Sequence, residues 1–349
     1  MQFSHPRGGV HYPRSTGEFR AWFATDEDCL DYLRWLRWPE GFVCPRCDNH
    51  GGWPVADGSY KCPRCKAQTA VTAGTLFDRR RSPLTVWFAA CWQFAMANDG
   101  ISALSLQHGL EIGSYQTAWA MLHRLRAVLV TPGQDRLSGT VEVGETRLGG
   151  EGLQRGEGAN GEPALLAVAV ERKELHGYGR CRITVVGDSS ADSRRLFVRN
   201  NVEPGSTVVT HGWPNDSGIT QLGYRHEPFS QRAAATAGED VVPLLPGVHR
   251  VASLAKRSLR RTRQGRFDQA HLQSYLNEFC FRSNHRRPMS RALLFYRVLE
   301  LAVTHEPVRY RQLIANPKPK KTPPLPPWRR GHPPSLDRPP ADRPWRAAR

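Results

Sequence analysis

The sequence predicts an α/β fold in which a small cysteine-bearing module and a helical segment precede a larger domain of strands and helices. Three observations support this prediction. Two Cys-x-x-Cys pairs lie in the first seventy residues, apolar residues recur at helical spacing over 83–130, and alternating β-branched segments begin at 140. The change of period near 140 indicates the start of a second kind of domain.

The cysteine module predicts a structural zinc site. Cys44 and Cys47 form one Cys-Pro-Arg-Cys pair and Cys62 and Cys65 a second, with fourteen residues between the pairs. Four thiolates at this spacing can occupy the corners of a tetrahedron, the arrangement that structural zinc prefers. The alternative is a pair of disulfides, but the remaining four cysteines lie singly in apolar segments and nothing else indicates secretion. We therefore favour a zinc ribbon over 19–78, with a leading helix at Thr25–Trp38.

Composition indicates a polyanionic partner. The 349 residues carry a formal net charge of +17 and a pI near 10.0. No apolar run reaches membrane length and residues 1–20 contain no signal-peptide core, so we expect a cytoplasmic, nucleoid-associated protein that binds nucleic acid. The run Arg79, Arg80, Arg81 is a candidate phosphate contact. The alternative is a solvated basic surface, because much of the charge is scattered.

The segment 82–131 is predicted to be helical and to resemble a helix-turn-helix. Ser82-Pro83 is a cap and first-turn signal for its opening helix. Ser102 to His108 is then the first short helix of the motif, and Ser114 caps the second, whose Gln116, Thr117 and Arg124 are candidate DNA contacts. An ordinary helical bundle between two domains is the alternative.

The segment 139–305 reads as an α/β domain. Strands are predicted at 140–143, 165–170, 182–186 and 206–210, with a helix at 189–200 before the last strand. The first and fourth strands can lie side by side at the centre, which is the strand order of an RNase H-like domain. Helices at 249–261 and 271–285 follow, and an apolar helix at 288–305 is expected to close the domain. The Pro- and Arg-rich residues 316–349 predict a disordered basic tail.

Several motifs in order along the chain resemble one family. They are RWPEGFVCPRC (Arg37 to Cys47), YKCPRCKAQTAVTAGTLF (Tyr60 to Phe77), the segment Gly100 to Arg126, VEVGETRLGG (Val141 to Gly150), VVTHGWPNDSG (Val208 to Gly218), HRVASLAKRSLRRT (His249 to Thr262) and HLQSYLNEFCFRSNHRR (His271 to Arg287). With these motifs the chain resembles bacterial insertion-sequence transposases of the ISXO-like type, in the insertion-sequence family numbered fifteen-ninety-five. The resemblance covers roughly Phe19 to Ala315.

The resemblance implies a zinc ribbon and a helix-turn-helix joined to an RNase H-like domain of the DDE superfamily that cleaves and transfers DNA strands. Two carboxylates in such transposases hold a pair of Mg²⁺ ions, and a third polar residue completes the site. Here the third position falls on His249, and a signature lysine falls on Lys256, seven residues later and on the same helix face. The implied partners are terminal inverted repeats and target DNA, bound by a homo-oligomer.

The chain departs from the family at both catalytic aspartates. Gly144 stands where the family has the aspartate of VEVDET, and His211 stands where the family has that of TDGW. Glycine offers no carboxylate and imidazole suits softer metals, so the Mg²⁺ site should be impaired. Glu142, on the same sheet face as Gly144, is a possible substitute, whereas alternation places Glu145 on the opposite face. Asp188 and Asp216 are possible replacements for His211.

Three hypotheses follow. The chain is a transposase by descent with impaired catalysis, an active transposase that uses substitute carboxylates, or a zinc-ribbon regulatory protein in which the RNase H-like domain is a scaffold.

Overall fold

The structure is a computed structural model that describes residues 6–97, 100–129, 136–148, 163–173, 177–211, 217–229, 245–263, 269–285 and 291–314. The predicted tail at 316–349 and Asp216 lie outside the described residues. The chain divides into two compact units, Met1–Val128 with Pro288–Arg349 and Leu129–Arg287.

The elements follow one another in this order: α1 Thr16–Trp22, α2 Asp26–Arg37, β1 Trp53–Pro54, β2 Tyr60–Lys61, β3 Gln68–Thr69, α3 Leu84–Met96, α4 Ala103–Gly109, α5 Tyr115–Val128, β4 Thr140–Leu148, β5 Ala164–Arg172, β6 Tyr178–Val186, α6 Ala191–Asn201, β7 Thr207–His211, α7 Ser217–Gln221, β8 Arg225–Phe229, α8 Pro246–Arg263, α9 Leu272–Asn284, α10 Arg291–Thr304 and α11 Tyr310–Ile314. A short 3₁₀ turn, Gln269–His271, precedes α9.

In the first unit, α2 begins as the sequence predicts. The Thr25 hydroxyl accepts from the Asp28 amide, and the Asp28 carboxylate accepts from the Thr25 amide, which is a capping box. The apolar stripe of this helix is buried. The helix therefore leads into the ribbon with one face in the core of the unit.

Helix α3 begins differently from the prediction. Its N-cap position is Pro83, which makes no side-chain cap, so Ser82 is not the cap. Asp26, at the start of α2, instead accepts from the Thr85 amide at 3.0 Å. A carboxylate from a neighbouring helix thus satisfies a free first-turn N–H group of α3.

Helix α10 lies in the first unit, whereas the sequence analysis placed residues 288–305 at the end of the RNase H-like domain. The Leu76 amide donates to the Ala302 carbonyl at 3.0 Å. Phe295 contacts the rings of Phe19 and Trp92 at centroid distances of 5.6 and 5.4 Å. The apolar face of α10 is thus buried against an aromatic cluster of the N-terminal helices, which a pattern read along the chain does not reveal.

The second unit is built on a five-stranded sheet of order β6-β5-β4-β7-β8. Strands β4, β5 and β6 are antiparallel neighbours, and β7 pairs parallel to β4. The first and fourth predicted strands therefore lie side by side at the centre, as expected for an RNase H-like domain. Strand β8, parallel to β7, was not predicted.

Apolar side chains cover both faces of this sheet. One core contains Leu148, Val209, Leu245 and Val248, with residues of α8 and α9. The other contains Val141, Val143, Val208 and residues of α6. Alternation along β4 and β7 therefore directs even-numbered positions of β4 and odd-numbered positions of β7 toward α8.

Candidate functional sites

The ribbon consists of two turns with the same backbone pattern. The Cys44 amide donates to the Asn49 carbonyl and the Asp48 amide to the Cys44 carbonyl; the Cys62 amide donates to the Ala67 carbonyl and the Lys66 amide to the Cys62 carbonyl. Asp48 and Lys66 occupy equivalent positions with φ of 55° and 58°. This left-handed conformation closes each turn tightly enough to direct both of its thiols to one side.

The four thiols converge as the sequence predicts. The Sγ atoms of Cys44 and Cys65 lie 3.5 Å apart, those of Cys47 and Cys62 lie 3.6 Å apart, and all four lie within 4.8 Å of one another. A tetrahedral zinc with Zn–S bonds of about 2.3 Å requires S···S separations of about 3.8 Å, so the donor set fits zinc. All four cysteines are free thiols. Among the described residues, no other group of three or more His, Cys, Asp or Glu side chains is placed to share a metal ion.

The two positions predicted to be catalytic, Gly144 and His211, lie on adjacent strands. The parallel register pairs Val143 of β4 with Thr210 of β7, and Gly144 and His211 are the residues that directly follow these partners on the two strands. Both belong to the face directed toward α8. The topology thus brings together the positions where the family has aspartates, and neither residue supplies a carboxylate.

Apolar side chains occupy the space in front of Gly144. A Cβ atom at this position would lie 3.0 Å from Leu245 Cδ1 and 3.2 Å from Val248 Cγ1. Both distances are shorter than ordinary van der Waals contact, and both neighbours are nearly fully buried. A carboxylate at 144 would therefore enter an apolar environment unless these side chains moved.

Glu142 is engaged with the start of α8. Its Oε2 accepts from the Gly247 amide at 2.8 Å and the Val248 amide at 3.2 Å, and its Oε1 lies 3.1 Å from Arg172 Nε. The residue has no exposed surface. Burial and then the carboxylate of Glu142 raise the pKa of Tyr178, which packs beside it. The candidate substitute ligand is therefore bound to a helix N-terminus and an arginine.

The third family position and its lysine lie on α8. His249 is exposed in the first turns of the helix. Lys256 donates from Nζ to Thr146 Oγ1 at 3.1 Å, and Thr146 is two residues beyond Gly144 on the same face of β4. The structure thus brings Lys256 to the strand that carries Gly144, the first of the predicted catalytic positions.

Two other candidate carboxylates are engaged elsewhere. Glu145 faces the opposite side of the sheet, where its Oε1 lies 3.0 Å from Arg194 Nε of α6. Asp188 accepts from the Ser190 amide at 2.9 Å and the Ser193 hydroxyl at 2.7 Å. Hydrogen bonding from the Ser190 side chain, then from the Ser193 side chain and the Ser190 amide, lowers the pKa of Asp188 to about 2. Asp188 thus stabilises the start of α6.

The predicted helix-turn-helix segment forms two helices at the expected positions. The Ser102 hydroxyl caps α4 by accepting from the Ser105 amide. In α5, Gln116 is exposed and Thr117 is half-buried. Arg124 is also half-buried, and burial lowers its pKa. Gln116 is thus the most accessible of the three candidate DNA contacts.

The three arginines of the basic run at 79–81 differ in exposure and in contacts. Arg79 and Arg81 are exposed, whereas Arg80 Nη2 lies 3.2 Å from Asp26 Oδ2. The carboxylate that Arg80 contacts is the one that caps α3. Arg80 therefore joins α2 to the segment before α3, and its two neighbours are left as the accessible cations.

The sequence analysis did not identify the residues that surround the predicted catalytic positions. Leu245, Gly247 and Arg172 belong to no recognised motif, yet they contact Gly144 or Glu142. The Pro246-Gly247 pair was the available signal. Proline in the first turn of a helix, followed by a glycine, is typical of a helix start that another chain segment approaches closely.

Two family models match the chain in the regions described above. One, described as the ISXO2-like transposase domain, matches residues 136–284, and one described as the transposase zinc-ribbon domain matches 24–68. The chain thus contains an ISXO2-like transposase domain preceded by a transposase zinc-ribbon domain. The transposase domain model coincides closely with the second structural unit, and the zinc-ribbon model contains all four cysteines of the thiol cluster.

A curated relative of this chain is the uncharacterized protein in transposable element ISH50 of Halobacterium salinarum (strain ATCC 700922 / JCM 11081 / NRC-1). It is 25% identical over 211 residues, which covers 55% of this chain and 69% of the relative. A solved structure, the simian T-cell lymphotropic virus intasome in complex with PP2A regulatory subunit B56 gamma, matches at 16% identity over 68% of this chain and 76% of its own chain. Its TM-score of 0.24 is too low to indicate a shared fold.

Over the residues that the structure describes, no helix is both long and apolar enough to cross a membrane.

Proposed function

We propose that this transposase binds the terminal inverted repeats of an insertion sequence and that its DNA-cleaving centre is impaired. The observation that carries the proposal is the pair Gly144 and His211, adjacent on neighbouring strands where the family has aspartates. Leu245 and Val248 pack against Gly144, which supports loss of the site rather than its rearrangement. The residues present do not fit a pair of Mg²⁺ ions, because hard divalent cations require charged oxygen ligands.

The surrounding carboxylates support the same proposal. Glu142 is buried and accepts from two backbone N–H groups, and Glu145 pairs with Arg194 on the other side of the sheet. Recruiting either to bind metal would break contacts that stabilise the fold. His249 and Lys256 remain at their family positions, but without anionic ligands beside them we expect no metal-dependent cleavage.

DNA binding is supported by charge and by family membership. The net charge of +17 favours a polyanion, and Arg79, Arg81 and Gln116 are accessible. We expect affinity for terminal-repeat duplex to fall steeply with salt, because Lys and Arg displace counterions from phosphate. We also expect a homo-oligomer on paired DNA ends, measured by light scattering of the complex.

The decisive experiment is a cleavage and strand-transfer assay on terminal-repeat DNA with Mg²⁺ or Mn²⁺. The wild-type chain should bind the DNA and leave it uncut. The double variant Gly144→Asp with His211→Asp restores both carboxylates, and adding Leu245→Ala makes room for the first of them. We expect cleavage from the triple variant above that of the double variant.

The matched control replaces both positions with asparagine in the Leu245→Ala background. Asparagine has the shape of aspartate without its charge, so this control should bind DNA and remain inactive. If the wild-type chain cleaves the DNA and Glu142→Gln abolishes that cleavage, the protein is instead an active transposase that uses Glu142 as a substitute ligand. Absence of cleavage from the triple variant, despite DNA binding, would place the damage elsewhere.

A regulatory protein that uses the RNase H-like domain as a scaffold is the second candidate, favoured because the chain keeps the four-thiol cluster but lacks both predicted catalytic carboxylates. The two candidates differ in their genomic setting. Terminal inverted repeats flanking the reading frame support a mobile element or its remnant, and a dedicated regulator should lack them.

A further inference from the structure

We propose that the outward face of the ribbon sheet binds unpaired nucleotides of a DNA strand, with a base stacked on the indole of Trp53 and phosphates beside Lys61 and Lys66. This inference rests on the proposed DNA binding and assigns part of it to a surface. It adds a second mode of contact, separate from duplex recognition by the helical segment.

The strand register defines this face. Trp53 pairs with Lys61, and Lys61 pairs with Gln68, so the three residues form one row across the three strands. All three are exposed. The alternate residue of the middle strand, Tyr60, faces the opposite side, where its ring stacks on Phe42 at a centroid distance of 5.0 Å and an interplanar angle of 10°. One side of the sheet is thus packed and the other is open to a ligand.

Trp53 differs from the other tryptophans that the structure describes. Its exposed fraction is 47%, whereas each of the others is buried or half-buried. Lys66 Nζ lies 5.8 Å from the centroid of its ring. Lys66 occupies the left-handed position of the second cysteine turn, with φ of 58°, so the zinc-binding turn itself places this ammonium beside the indole.

The chemistry of the row favours a nucleic-acid strand. Exposed aromatic rings flanked by cations bind single strands because any base can stack on the ring while its phosphates meet the cations. The row itself contains no carboxylate, and the nearby Asp57 accepts from the Ser59 hydroxyl at 2.6 Å and from Gln68 Nε2 at 2.8 Å. One indole between two lysines is too small an apolar surface for a stable protein interface. Bases within a duplex are already stacked, so the ligand is an unpaired segment.

The test measures binding of the zinc-loaded full chain to labelled oligo-dT by fluorescence anisotropy. Trp53→Ala should weaken binding by about tenfold, the effect expected from loss of one base–aromatic stack, and Trp53→Phe should restore most of the affinity. Replacing Lys61 and Lys66 by glutamine should reduce the salt dependence of binding. Zinc content measured on each variant shows whether the ribbon remains folded.

Leu196→Ala is the matched control, because Leu196 is a large apolar side chain with a similar exposed fraction of 50% outside the ribbon. It should bind oligo-dT as the wild type does. The inference is overturned if Trp53→Ala binds oligo-dT with wild-type affinity, or if the wild type binds terminal-repeat duplex but not oligo-dT. Failure of the wild type to bind either DNA would overturn the proposed function itself. If Trp53→Ala changes only self-association in sedimentation, the face belongs to a second copy of the chain.

Discussion

Glu142 lies two residues before Gly144, and its carboxylate contacts the first turn of α8 through the Gly247 and Val248 amides. The N-terminus of a helix carries partial positive charge and free N–H groups, and both offset the cost of burying the Glu142 carboxylate. The guanidinium of Arg172 adds an ion pair to the same carboxylate. The residue that sequence reasoning offered as a metal ligand therefore acts in the structure as an anchor for the helix that carries His249 and Lys256.

Glu142→Ala should destabilise α8, because two buried amides lose their acceptor. We expect a loss of about 3 kcal/mol in the local opening free energy, the range for a broken buried charge contact. Glu142→Gln retains an oxygen acceptor and should lose about 1 kcal/mol. Hydrogen exchange of peptides spanning Pro246–Arg263 measures both values. Equal exchange in wild type and the alanine variant would contradict the anchoring role.

Position 247 requires glycine because the side chains of Tyr178 and Glu142 approach its backbone closely, and not because of its backbone conformation. A Cβ atom there would lie 2.5 Å from Tyr178 Cε1 and 2.8 Å from Glu142 Oε2. We expect Gly247→Ala to destabilise the second unit by about 1–3 kcal/mol through overpacking, measured by hydrogen exchange. Gly187→Ala is the matched control, since a Cβ atom there meets nothing within 4 Å. A larger loss from the control than from Gly247→Ala would contradict this account.

Residue-level prediction from the sequence succeeded where the signal was local. The start of the leading helix at Thr25 and the convergence of Cys44 and Cys62 were predicted from local sequence and spacing alone. Sequence alternation also placed Glu142 and Glu145 on opposite faces of β4. It could not reveal that the start of α8 covers Glu142, or that Asp26 caps α3, because both contacts join segments distant in sequence.

At the scale of elements, two side chains of α9 form hydrogen bonds with the backbone groups along the free edge of β6. Asn284 accepts from the Cys181 amide at 2.7 Å and donates to the Cys181 carbonyl at 3.1 Å. Gln273 accepts from the Val185 amide at 2.8 Å and donates to the Ile183 carbonyl at 2.9 Å. Two side-chain amides thus take the place of a neighbouring strand. Covering an edge in this way prevents it from pairing with another chain.

Replacing both Asn284 and Gln273 by alanine should expose the edge of β6. We expect faster hydrogen exchange at Cys181 and Val185 and concentration-dependent association, measured by sedimentation velocity. Asn284→Asp keeps the acceptor for the Cys181 amide and removes the donor to its carbonyl, so it should have an intermediate effect. A double alanine variant that exchanges and sediments as the wild type does would show that these amides do not protect the edge.

Strand β8 and the packing partner of α10 were not predicted from the sequence, and each omission has a physical reason. Strand β8 was missed because its sequence, Arg225-His-Glu-Pro-Phe229, is polar and contains a proline, which is tolerated at a sheet edge but gives no strand signal. Helix α10 was recognised, but its partner was not. An apolar face specifies that a helix packs, and only the tertiary structure specifies where.

At the scale of the whole molecule, both hydrophobic cores that cover the five-stranded sheet consist of residues of the second unit, and the thiol cluster belongs entirely to the first. Folding of a zinc ribbon is coupled to metal binding, whereas the sheet of the second unit is stabilised by apolar burial on both faces. Zinc removal should therefore affect the two units unequally.

We expect about one zinc per chain by metal analysis. A strong chelator should increase hydrogen exchange in peptides from 24–68 and leave peptides from β4, β5 and β7 unchanged, because their core contains no metal ligand. Cys44→Ser should reproduce the chelator effect, with Cys29→Ser as the control for substitution of a buried thiol outside the cluster. A zinc-free chain with unchanged exchange in the ribbon would contradict the structural role of the metal. Equal loss of protection in β4 and β7 would instead show that the ribbon and the RNase H-like domain unfold as one cooperative body.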